Sequence, residues 1–69
     1  MFDYSRLKGR MREKNITQEQ LAKMIGISTV SLREKLKGGR PYFKADEMLA
    51  ISKALDLESI DAYFLTTNY

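Results

Sequence analysis

Cysteine and histidine are both missing from the 69 residues. Without cysteine there is no disulfide framework and no thiolate metal site. Without histidine the usual zinc ligand sets and the commonest general base are gone as well. Asp46-Glu47 and Asp61 are the nearest approach to a carboxylate cluster, and no phosphate-cradling glycine loop accompanies them. They read more simply as charges that the helix macrodipole favours near an N-terminus. No catalytic residue, metal, cofactor or small-molecule ligand is expected, and the chain does not read as an enzyme. Long apolar runs are lacking too, so no segment spans a membrane, and the N-terminus carries no signal-peptide core. These absences point to a cytoplasmic protein. Repeats, linkers and low-complexity tracts are also absent, and Pro41 is the only proline. Residues 1–69 are read as one small domain, near the size at which a single core is just sufficient.

What is present is charge, unevenly placed. Residues 1–44 hold 11 of the 12 Lys/Arg but 4 of the 9 Asp/Glu, a balance of +7. Residues 45–69 hold Lys53 and the remaining 5 acids, a balance of −4. A basic half joined to an acidic half points to a surface made for a polyanion.

Five helical segments can be read, with no strand alternation, so the fold class is all-α. The first runs from about Asp3 to Lys14, with Leu7 and Met11 as an apolar pair four apart. Gly9 weakens it by about 1 kcal/mol relative to alanine, and Asn15 suits its end. The second opens on 17-TQEQ-20, where Thr17 and Gln20 can form a capping box and Ile16 can staple to Leu21. Leu21, Ala22 and Ile25 face inward, and Gly26 supplies the left-handed stop. Ser28 caps the third helix, which ends at Gly38-Gly39. Two helices joined by so short a turn cannot lie antiparallel; the spacing is that of a helix-turn-helix at about 17–37. After the loop 38-GGRPYFK-44 comes a fourth helix, about Ala45 to Leu55, with Ala45, Met48, Leu49, Ser52 and Leu55 at core spacing and Ile51 beside them. A short fifth helix, about Ser59 to Leu65, carries Ile60, Tyr63 and Phe64; Asp56 and Ser59 are both candidates to cap it.

The stretch 18-QEQLAKMIGISTVSLREKLKGG-39 resembles the helix-turn-helix of Cro/repressor-type regulators, the XRE family, through Gln18, Leu21, Ala22, Ile25, Gly26, Ile27, Ser28 and Leu32. The start MFDYSRLKGR, the helix end SLREKLKGG and the pair Tyr63-Phe64 are closest to small phage-type Cro-like members. The resemblance covers nearly the whole chain and implies a compact five-helix lambda-repressor-like fold. It also implies a phage or prophage transcription regulator, typically a repressor, that binds double-stranded DNA at a palindromic operator as a homodimer. For a chain this short, assembly of that dimer on the DNA itself is favoured. One departure stands out: many members carry an apolar residue where this chain has Lys35, and Leu36 is read as taking over its packing.

Affinity for DNA comes mainly from phosphates and sequence choice from base edges. On the third helix Leu32 and Leu36 mark the buried side. At about 100° per residue, Val30, Glu34 and Lys37 point furthest from it, with Ser31 and Arg33 on the flanks. The N-terminal end of that helix enters the major groove in this geometry. There Val30 can pack on thymine methyls and Thr29 can bond a base edge or phosphate. Arg33 is the candidate for guanine O6 and N7. Glu34 can accept from cytosine N4, or simply pair with Lys37. Gln18, at the start of the second helix, matches a position that family members use to clamp a phosphate or base. Lys35, Lys37, Arg40 and Lys44 are read as phosphate contacts. Tyr42-Phe43 is read as a core anchor whose tyrosine hydroxyl can reach a phosphate, and Arg10 and Lys14 as extending the positive field.

Two other readings use the same fold. It can serve as a protein-binding module of antirepressor type, with the acidic second half and the tail 63-YFLTTNY-69 as its surface. It can also be an antitoxin-type regulator that engages a protein partner besides DNA. Exposed Tyr63 and Phe64 would favour such an interface.

Overall fold

The computed structural model describes residues 2–65. Five helices follow in order: α1 (Ser5–Glu13), α2 (Gln18–Ile25), α3 (Thr29–Leu36), α4 (Ala45–Leu55) and α5 (Ile60–Phe64). No strand forms among the described residues, in line with the all-helical expectation. The last part of the tail 63-YFLTTNY-69, residues 66–69, lies outside them.

Helix ends follow from local chemistry. At the start of α2, Thr17 Oγ1 accepts the Gln20 amide at 3.1 Å, while Gln20 Oε1 accepts the Thr17 amide at 2.9 Å. This is the reciprocal box that 17-TQEQ-20 predicts. Ser28 Oγ accepts the Ser31 amide at 3.0 Å to open α3, and Ser59 Oγ takes the Ala62 amide to open α5. Three helices end by one device. Asn15, Gly26 and Asp56 adopt the left-handed conformation, with φ of 55°, 80° and 53°. The next amide then reaches back five residues: Ile16 to the Met11 carbonyl, Ile27 to Ala22, and Leu57 to Ser52. Asp56 therefore closes α4 and Ser59 starts α5, which settles the choice of cap.

The core is aromatic at one end and aliphatic elsewhere. Leu7, Leu21, Leu32, Ile51, Leu55 and Phe64 are wholly enclosed. Tyr4, Phe43 and Phe64 meet edge to face, with centroids 5.3–6.1 Å apart. Helix α2 packs against α3 and α4, and α5 against α4 and α1. Ala22, buried between its neighbours, allows the close crossing that a larger side chain would prevent.

In helix α4 the sequence reading holds for Met48, Ile51, Ser52 and Leu55 and departs at Ala45 and Leu49. Leu49 is 54 % exposed and Ala45 lies on the surface, whereas Glu47, Ile51 and Leu55 form the inward row. The reason is a charge: Glu47 goes inward to meet Lys35, and Ile51 and Leu55 follow it at four-residue spacing.

Gly9 sits in α1 with nothing within 4 Å of where a Cβ would stand. Gly9→Ala is therefore expected to stabilise the domain by about 1 kcal/mol. For a chain of this size that is a rise in Tm of roughly 4–8 °C in a melting experiment.

Candidate nucleic-acid interface

The three residues Gly26, Ile27 and Ser28 carry the chain from α2 into α3. Leu32 and Leu36 hold α3 to the core, and the opposite side of that helix meets solvent. Val30 is 63 % exposed, a large fraction for a valine with polar neighbours. Arg33 and Lys37 are exposed, and Thr29, Ser31 and Glu34 are half-buried. The outward set read from periodicity is thus presented together. Glu34 Oε1 takes the Lys37 ammonium at 3.2 Å, and exposed pairs of this kind contribute only about 0–1 kcal/mol. Arg33 and Arg40 make no ion pair among the described residues.

Lys35 is not part of that surface. It is 8 % exposed, and its ammonium is bound by both carboxylate oxygens of Glu47, at 2.6 Å to Oε1. It lies three residues beyond Leu32, on the buried side of α3. Its stem fills the apolar position while its head meets a buried acid. Lys35 is accordingly withdrawn from the phosphate contacts. Leu36 packs beside it rather than in its place. Glu47 also accepts the Lys44 amide at 2.8 Å. Burial, the largest influence, works against its charge. The hydrogen bonds from Lys35 and the Lys44 amide, with both lysine charges, outweigh it and hold the carboxyl below its ordinary value.

The loop after α3 is tied at both ends. The Phe2 amide donates to the Gly38 carbonyl at 2.9 Å, and Phe43 is buried in the aromatic cluster. Between these ties Arg40 and Tyr42 are exposed, with Lys44 just beyond. Tyr42 stands edge-on to Phe2 at 5.7 Å. Of the pair 42–43, only Phe43 anchors the core.

Gln18 lies at the first turn of α2, half-buried, on the rim of an open hollow of about 220 Å³. Lys8, Met11, Arg12, Ile16 and Thr17 complete that hollow. The Leu7/Met11 stripe divides the basic residues of α1 into two pairs, four apart within each. Lys8 and Arg12 fall on the α2 side, and they are the cations beside Gln18 that the sequence reading left out. Arg6, exposed, and Arg10, half-buried, fall on the other flank and reach carbonyls at the end of α4 and in α5. Arg10 Nε donates to the Leu55 carbonyl at 3.0 Å and Nη2 to the Asp56 carbonyl at 3.1 Å. Arg6 reaches the Ala62 carbonyl and lies over the Tyr63 ring, 5.2 Å from its centroid. Arg10 thus caps the C-terminal end of α4 and does not extend an outer positive field.

Tyr63 and Phe64 are both buried, so the aromatic pair completes the core. Among the described residues no group of three or more His, Cys, Asp or Glu is placed to hold a metal ion. None of their helices is long and apolar enough to cross a membrane. A model of the family described as Protein of unknown function (DUF739) matches residues 1–67. No curated protein matches the chain.

Proposed function

The chain belongs to the DUF739 family, whose description names no activity, and we propose that this member is a sequence-specific double-stranded DNA-binding regulator. On this reading α2 and α3 form a helix-turn-helix within a lambda-repressor-like five-helix fold, as the resemblance to Cro/repressor-type regulators implies. Helix α3 enters the major groove, and two copies occupy the halves of a palindromic operator, assembling on the DNA. The observation that carries the reading is the outer side of α3. An exposed valine, a free guanidinium and a lysine face away from the core on a helix whose N-terminus is held by a three-residue turn. Val30 in that position can pack on a thymine methyl. Gln18, with Lys8 and Arg12, and the loop residues Arg40 and Lys44 supply the phosphate contacts.

Selection of bound duplexes from a random pool tests the proposal. The expected product is an inverted repeat with half-sites about one helical turn apart. No enrichment, with weak binding that vanishes as salt rises, would overturn it. On the selected site, Arg33→Ala should cost about 1–3 kcal/mol, roughly five- to 150-fold, and relax the preference at one base. Lys37→Ala should weaken all sequences alike and reduce the salt slope by about 1. Equal losses on selected and random DNA for Arg33→Ala would remove it as a base reader.

Tyr63 and Phe64 are buried, so they do not supply the exposed aromatic contact that would favour a protein-binding module.

A further inference from the structure

The carboxylate of Glu47 joins three parts of the chain that meet nowhere else through a charged group. It belongs to α4, it binds the Lys35 ammonium of α3, and it accepts the backbone amide of Lys44 at the end of the loop. Both partners of the ion pair are buried, and among the described residues neither makes a second salt bridge. We infer that Lys35 and Glu47 are positioning residues that set the rotation of α3 about its own axis and hold the loop 37–44 in register with it. The inference rests on the DNA-binding reading only for its consequence, not for its geometry.

The apolar contacts of α3 leave this rotation underdetermined. Leu32 and Leu36 alone centre the buried side between them, about 20° from Leu32, at 100° per residue. Lys35 lies about 60° from Leu32 in the opposite sense, so its burial pulls the centre back across Leu32 and widens the inward arc. Val30, Glu34 and Lys37 are then aimed directly away from the core. Apolar packing is non-directional, whereas an ammonium bound by both oxygens of one buried carboxylate is held at one place. A buried ion pair contributes little net stability, and fixing register is its best-attested use. Because Glu47 also holds the Lys44 amide, the same group places the loop that carries Arg40. A reading helix and a phosphate clamp have to be presented together, since a displacement of about 1 Å between the two is enough to spoil matched contacts.

The test uses the full chain carrying Lys35→Met with Glu47→Gln. Glu47→Gln keeps the chain length, Lys35→Met shortens it by one atom, both charges are removed, and the glutamine carbonyl can still accept the Lys44 amide. Residual dipolar couplings of the α3 amides relative to α4 are measured first, without DNA. The expected result is a changed orientation or a loss of a single orientation for α3, with the couplings of α1, α4 and α5 preserved. Binding follows, on the duplex that the wild type selects and on random DNA. The ratio of the two affinities should fall by at least tenfold while the salt slope stays as in the wild type, because Lys35 touches no phosphate. Unchanged couplings overturn the inference, as does a ratio within twofold of wild type on a selected duplex. If the wild type selects no duplex while the couplings change, the DNA reading fails and the register role stands. Should the double variant not fold, Lys35→Met with Glu47→Leu, which leaves neither a charge nor an unpaired side-chain amide at the site, is measured in the same way, with the same two outcomes.

Discussion

Glu47→Ala is expected to destabilise the domain by about 3–5 kcal/mol, because it leaves the Lys35 ammonium buried without a counter-charge. Stability of roughly 0.05–0.15 kcal/mol per residue puts the whole domain at about 3–10 kcal/mol. One methyl-for-carboxylate exchange therefore brings it close to unfolding, although no apolar contact in the core is lost. Removing both charges, as in Lys35→Met with Glu47→Gln, is expected to cost less than Glu47→Ala, since desolvation of each ion then no longer opposes folding. Urea unfolding of the three proteins separates these cases. A loss below about 1 kcal/mol in Glu47→Ala would mean that Lys35 reaches solvent. Acid provides an independent check. The folded carboxyl titrates below its ordinary value of 4.5, so its contribution is complete above that pH and is lost as the pH falls through the folded value. The wild type should thus lose more stability than the double variant between about pH 6 and pH 3.

Phe64→Ala is expected to cost about 3–5 kcal/mol through the cavity left behind. Phe64 is wholly enclosed and meets Tyr4 and Phe43 edge to face. It therefore joins the N-terminal segment, the loop after α3 and the end of the chain. The loss should appear in guanidinium unfolding, together with a collapse of the near-ultraviolet tyrosine signal, because Tyr4 loses its packed neighbour. Phe64→Leu should fall between wild type and alanine. A small loss for alanine would show that the surrounding side chains close over the gap.

Short-range chemistry made much of this structure readable in advance. The Thr17-Gln20 box, the Ser28 cap and the left-handed Asn15 and Gly26 each depend on atoms within five residues. The outward side of α3 was readable from Leu32 and Leu36 to within a few tens of degrees, and the burial of Lys35 refines it. Failures began where a side chain's partner lies far along the chain. Lys35 looks like a surface lysine until Glu47, twelve residues on, turns inward toward it. The same pairing exposes Leu49, which hydropathy places inside. Arg10 belongs to a run of bases that reads as a solvated face, yet its guanidinium is taken by carbonyls at the far end of α4. Charge sets no periodicity of its own, so a buried ion looks the same as an exposed one until its tertiary neighbours are known. The Leu7/Met11 stripe did hold one unused signal, because it separates Lys8 and Arg12 from Arg6 and Arg10.

The pair Arg6 and Arg10 has a bearing on how the chain comes to be folded. The carbonyls that Arg10 and Arg6 bind belong to Leu55, Asp56 and Ala62, 45 to 56 residues downstream. During synthesis these two side chains meet their carbonyl partners only after residues 55–62 have been added. Loop closure over such a span precedes the contacts that reward it. The contacts of Arg6 and Arg10 are therefore long-range ones, closed after the local caps that start α2 and α3.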